Sequence, residues 1–219
     1  MKKNLIIAPH ADDETLGCGG TILKLKKRKE SVSCVILTNY HKTNNKKMYN
    51  QRLKELSKIK KHYKFDGFYL GEFTANTLDN NNKTKIISLL KKIISNIKPK
   101  RIFVPYYNDA HSDHKTVFDC CKPFFKSFRY PFIKEVYVYE TISETNFNYK
   151  LNQFKPNTWI NIDNHLDKKI KIMKTYKSEI KKHPFPRSVE SIKSLAILRG
   201  AESNFKYAEA FLNIKKVED

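Results

Sequence analysis

Apolar residues follow two rhythms along the chain. Short, nearly unbroken apolar or β-branched runs occur at NLIIAP (4–9), SVSCVILTN (31–39), RIFVPYY (101–107) and KEVYVYET (134–141). Runs of this kind predict strands buried on both faces, as in a parallel sheet. GFYLGEF (67–73) and TWINID (158–163) read as shorter strands. Between them, apolar residues at i, i+3, i+4 predict helices over about 13–29, 48–63, 82–99 and 165–180, with Pro99 stopping the third. YHKTNNKK (40–47) and HPFPRS (183–188) read as loops, and the tail from about 189 as helix, then extended chain through YAEAFLNI. Strands alternating with helices imply an α/β class: a Rossmann-like, mostly parallel sheet flanked by helices. No repeat and no linker divides the 219 residues, so a single domain, 1–219, with a small C-terminal elaboration is expected.

Charge changes this picture less than its size suggests. Lys and Arg number 43 against 22 Asp and Glu, a net charge of +21. The lysines are interleaved with helical apolar positions and form no basic tail or arm. They read as solvated helix faces, and no specific nucleic-acid partner is expected. General attraction to an anionic substrate or membrane surface stays open. No apolar run reaches the ~18–20 residues of a membrane span. MKKNLIIAPHADDE begins like a signal peptide, but its apolar part stops after about five residues, short of the usual ~7–15. A cytoplasmic protein is expected. Cys18, Cys34, Cys120 and Cys121 contain no CxxC pair, so they read as reduced thiols and not as a zinc knuckle.

Two predicted strands run straight into metal-ligating residue types: the first into PHADDE (9–14), the fourth into NDAHSDH (108–114). Ligands of open parallel sheets sit beyond the carboxyl ends of the strands. If those two strands are neighbours, His10, Asp12, Asp13, Asp109, His111, Asp113 and His114 share one neighbourhood. Three His or Asp ligands, with carboxylates and imidazoles to spare, suit a catalytic Zn2+ site or one for another divalent metal, and point to a hydrolase. The plainer alternative makes Asp12 a helix N-cap and puts His111 and His114 on the surface of a helical turn. Gly17, Gly19 and Gly20 invite a phosphate-loop reading. Without a following GK[ST] they fit close helix packing better.

At these residues the chain resembles the PIG-L/LmbE family of metal-dependent deacetylases. PHADDETLGCGGTI (9–22) is similar to that family's PH-x-DDE signature, HSDH (111–114) to its H-x-D-H signature, and RGAESNFKYAEAF (199–211) to its terminal segment. The resemblance implies a Rossmann-like fold and zinc-dependent hydrolysis of an N-acetyl group on an amino sugar, nucleotide sugar or sugar conjugate. It implies zinc held by His10, Asp13 and His114, and Asp12 as general base. His111 would be acid or oxyanion stabiliser, oriented by Asp113. Glu14 would pair with Arg52 on the substrate side. From its place beside HSDH, Asp109 is a further candidate for substrate binding or for supporting the ligands. Tyr106, Tyr107, Tyr207 and Trp159 are candidates for stacking on a sugar ring, although aromatics at strand positions are more often core. TNYHKTNNKK (38–47) departs from the glycine-rich segment of many members. Two other readings remain: a basic nucleic-acid- or anion-binding module without catalysis, and an amidase for a different N-acyl group. A homo-oligomer is compatible with either.

Overall fold

The computed structural model describes residues 1–40, 45–79, 82–149 and 153–218. Seven strands form one sheet: β1 (Lys3–Ala8), β2 (Ser31–Thr38), β3 (Gly67–Phe73), β4 (Arg101–Pro105), β5 (Glu135–Tyr139), β6 (Thr158–Asn161) and β7 (Ala208–Lys216). Their order is β3-β2-β1-β4-β5-β7-β6. Neighbours from β3 to β5 pair in parallel, and β7 runs antiparallel to both β5 and β6. The antiparallel β7 and the edge strand β6 are the C-terminal elaboration.

Helices cover both faces. On one lie α1 (Asp13–Lys27), α2 (Lys46–Tyr63), α5 (Leu166–Met173) and α6 (Val189–Ala201); on the other lie α3 (Lys83–Ile97) and α4 (Ser112–Cys121). The alternation of β1 explains the sandwich: Ile6 and Ala8 join the first core, Leu5 and Ile7 the second. A strand buried on both sides must be apolar throughout, which is why it reads as a continuous run. Pro99 follows the end of α3, where Lys98 takes a left-handed turn (φ 50°).

The structure departs from the expected elements in places. The helix expected over 165–180 ends at Met173. Beyond it the chain unwinds so that Tyr176 can bury its hydroxyl against Glu14 (2.8 Å) and Ser178 and Glu179 can meet Arg52. Helix α4 is an element the apolar pattern did not single out. In the 40–47 loop, residues 41–44 lie outside the described residues, and Lys46 and Lys47 begin α2.

The small residues of α1 serve close packing. A Cβ on Gly17 would stand 2.3 Å from the Tyr139 ring, and one on Gly20 2.6 Å from Ile162. No phosphate cradle is needed to explain them. In its middle, α1 is clamped by a buried ion pair. Glu209 of β7 accepts N–H bonds from Gly20 (2.8 Å) and Thr21 (2.7 Å), and Lys169 of α5 donates to Leu16 O and to Glu209 (both 2.7 Å). All four cysteines are buried free thiols. Among the described residues no helix is long and apolar enough to cross a membrane.

Candidate metal centre

Strands β1 and β4 are adjacent and parallel, and the order of the sheet reverses between them. This is the switch point where a crevice opens in such sheets. The chain leaving β1 carries His10, Asp12 and Asp13 into it, and the chain leaving β4 carries Asp109, His111, Asp113 and His114. All seven gather there.

The turn after β1 is strained and heavily supported. Asp12 has φ 134°, a region a side chain adopts only when its surroundings over-determine it. Thr38 donates to Pro9 O from its backbone N (3.0 Å) and its hydroxyl (2.9 Å). Arg52 donates to Ala11 O (3.0 Å), and the Asp12 N–H donates to the Glu14 carboxylate (3.1 Å). Glu14 is fully buried and also accepts from Thr15 and Tyr176. Burial pushes its carboxyl up, against the pull of these donors. The expected Glu14–Arg52 pair is therefore corrected: Glu14 is spent on the turn, while Arg52 reaches Ala11, Ser178 and Glu179 and lies near Glu55.

Each of two imidazoles has one nitrogen committed to a carboxylate and the other aimed at Asp13. His10 Nε2 lies 2.9 Å from Asp113 Oδ2 and His114 Nδ1 lies 2.7 Å from Asp109 Oδ2. His10 Nδ1 and His114 Nε2 are each 3.3 Å from Asp13 Oδ2. His114 Nε2 is buried with no hydrogen-bond partner. A carboxylate behind each histidine is the arrangement that fixes the tautomer of a metal ligand. Tetrahedral zinc with bonds of about 2.0–2.2 Å puts ligand atoms roughly 3.3–3.6 Å apart. The His10–Asp13–His114 trio, whose ligand atoms all lie within 4.8 Å of one another, fits such an ion. A second trio, His10, His111 and Asp113, meets the same proximity, but its Asp113 carboxylate also accepts from the N–H groups of Asn76 (2.7 Å) and Leu78 (3.1 Å).

The electrostatics favour a cation. Burial pushes the His10 pKa down, yet Asp113 and Asp13 outweigh it and raise it to about 9. His114 is likewise raised against burial, by Asp13 and Asp109. Burial pushes the Asp13 carboxyl up, but His114 and His10 hold it well below the usual carboxylate range.

Asp12 differs from its neighbour. It stands at the N-cap position of α1 but its side chain makes no capping bond. Its Oδ2 is buried without a hydrogen-bond partner, 3.8 Å from the Arg187 guanidinium. Burial, then the charge on Asp13, pushes its carboxyl well up. His111 does cap its helix: its Nδ1 accepts the Asp113 N–H (3.1 Å), which leaves the proton of the neutral ring on Nε2. Burial and the neighbouring histidines hold its pKa at about 4, so the ring is neutral at pH 7. The expectation that the Asp113 carboxylate orients His111 is corrected: that carboxylate faces His10.

His10, Asp12, Asp13, His111 and His114 line a cavity of about 480 Å³, within the ~300–1,000 Å³ of small-molecule sites. Its walls include Tyr40, Asn76 and Glu144, and also Glu179 and Arg187 from the segment after α5. Tyr106, Tyr107, Tyr207 and Trp159 do not line it. Arg187 and Glu179 had no sequence signal, since they lie in an irregular stretch more than 160 residues from the first motif.

A family model described as PIG-L: GlcNAc-PI de-N-acetylase matches residues 5–124. The chain belongs to the PIG-L family. Solved structures share the fold of this PIG-L protein over its length. One is the conserved protein TT1542 from Thermus thermophilus (22% identity, TM-score 0.78, covering 100% of this chain and 97% of that one). Another is the N,N'-diacetylchitobiose deacetylase from Pyrococcus horikoshii (20%, 0.79, covering 98% and 84%). A third is GalB, the 4-carboxy-2-hydroxymuconate hydratase from Pseudomonas putida KT2440 (15%, 0.77, covering 100% and 99%). The hydratase shows that this fold alone does not set the reaction. Family membership is what supports N-deacetylase chemistry here.

Proposed function

We propose that residues 1–219 form one zinc-dependent deacetylase domain that removes an N-acetyl group from an amino sugar or sugar conjugate. The observation that carries this reading is the His10–Asp13–His114 trio with the unpartnered Asp12 carboxylate beside it. His10, Asp13 and His114 would hold the ion. Bound zinc supplies a lowered water pKa and polarisation of the acetyl carbonyl. Asp12 takes a proton from the attacking water as its oxygen bonds to the carbonyl carbon. His111 donates its Nε2–H to the carbonyl oxygen as negative charge develops there. The C–N bond then breaks, the proton on Asp12 passes to the leaving nitrogen, and acetate and a free amine result. Asp113 and Asp109 keep the two histidines in the tautomers that face Asp13.

The test is acetate release by the metal-loaded protein from a panel of N-acetylated sugars and nucleotide sugars. Release that stops on chelation and returns with Zn2+ is the expected result. A metal-loaded protein that releases no acetate from any of them would sink the reading.

A further inference from the structure

The cavity is charged against the rest of the chain. The protein carries +21, yet among the described residues that line the cavity the carboxylates Asp12, Asp13, Glu144 and Glu179 outnumber the arginines, Arg52 and Arg187, and the imidazoles of His10 and His114 are the ones that would hold a metal. Those two guanidiniums are already engaged. Arg52 donates to Ala11 O, Ser178 and Glu179, and lies 3.5 Å from Glu55. Arg187 donates to Glu179 O (3.0 Å), to the Glu179 carboxylate (3.2 Å) and to Ser143 (3.4 Å). One carboxylate, Glu179, thus satisfies both arginines. A phosphate is recognised by a guanidinium fork free to meet it, and here the forks are turned to Glu179. Among the described lining residues, a divalent ion at the histidines would bring these carboxylates and arginines to balance. Lys46 and Lys47, at the start of α2, stand in solvent and do not line the cavity. The remaining polar wall, including Thr38, Asn39, Asn45 and Asn76, offers hydroxyl and amide groups. These both donate and accept, as sugar hydroxyls require.

We infer that the cavity selects an uncharged amino-sugar glycoside and discriminates against a sugar that carries a phosphate, with Glu179 as the residue that sets this selectivity. The inference rests on the deacetylase reading above for its choice of sugar.

Two measurements test it, both on the metal-loaded full chain in about 0.15 M salt, which screens exposed lysines beyond about 8 Å. Calorimetry compares methyl glucosaminide with glucosamine 1-phosphate, which share the same amine and differ in the phosphate, and neither of which has an acetyl group to lose. Acetate release compares kcat/KM for the corresponding N-acetyl sugars. The phosphate-free sugar is expected to win by roughly tenfold or more, since the phosphate meets carboxylates while both guanidiniums are held by Glu179. Glu179→Gln releases both arginines and is expected to shrink that preference at least several-fold. Equal or tighter binding of the phosphorylated sugar, or binding of neither sugar, overturns the inference. An unchanged preference in a folded Glu179→Gln protein overturns the role of Glu179. If neither N-acetyl sugar releases acetate while the phosphate-free glycoside still binds better, the deacetylase reading fails and the selectivity against phosphate stands.

Discussion

Two walls of one cavity are built in opposite ways. The wall at the ends of β1 and β4 is short-range and buried. Its histidines are backed by Asp109 and Asp113, its strained turn is held by Thr38, Arg52 and Glu14, and it grows from strands packed on both faces. The facing wall, residues 174–188, has no helix or strand and is tied down by Tyr176, Ser178, Glu179 and Arg187. The contrast separates two tasks. Reactive groups that must be placed to fractions of an ångström sit on the rigid scaffold, and the irregular segment contributes shape and charge balance.

Substitutions can break that separation or sharpen it. His114→Ala removes a ligand atom from the buried wall, and metal affinity should fall more than about 100-fold with acetate release abolished, since even a supporting partner is worth 10–100-fold. Metal content after gel filtration reads this directly. Asp12→Ala should keep its metal and lose about 10²- to 10⁴-fold in turnover, the usual worth of a general base. Full activity with zinc bound would show that another group takes the proton. Asp109→Asn should cost about 10–100-fold in zinc affinity by loosening the His114 ring, measured by chelator competition. Arg187→Ala on the facing wall is the mildest. Its partly exposed ion pair is worth about 1 kcal/mol or less, so kcat/KM should fall about fivefold at most with zinc affinity unchanged. Loss of zinc in that variant would mean that the two walls are one unit.

The scaffold wall was legible in the sequence because each of its parts is local. Leu5 to Ala8 and Ile102 to Val104 are continuous apolar runs, and each ends where His and Asp residues begin. Parallel pairing then puts both ends on one rim, whatever the rest of the chain does. Partner choice within the rim was not legible. Asp113 lies two residues from His111 in the chain but turns its carboxylate to His10, 103 residues away, because His111 is occupied in capping α4. Glu14 and Arg52 look complementary, yet the buried turn claims the first and Glu179 the second. The facing wall left no trace because ion pairs in an irregular segment impose no period on the sequence. The helical spacing through 165–180 even pointed the other way, and burial of Tyr176 overrode it.

The clamp on α1 bears on the order in which the molecule is finished. Glu209 follows Gly20 by 189 residues, so at the usual 5–20 residues per second of synthesis it arrives roughly 10–40 s later. Until then the two amides in the middle of α1 and the ammonium of Lys169 lack their shared acceptor. The helix that begins at Asp13 is thus made well before the residue that clamps it. A nascent chain that stops short of β7 can build the strands of the parallel sheet and pack the apolar face of α1 on them, but the helix that carries one side of the candidate metal centre lacks this polar clamp until β7 is made.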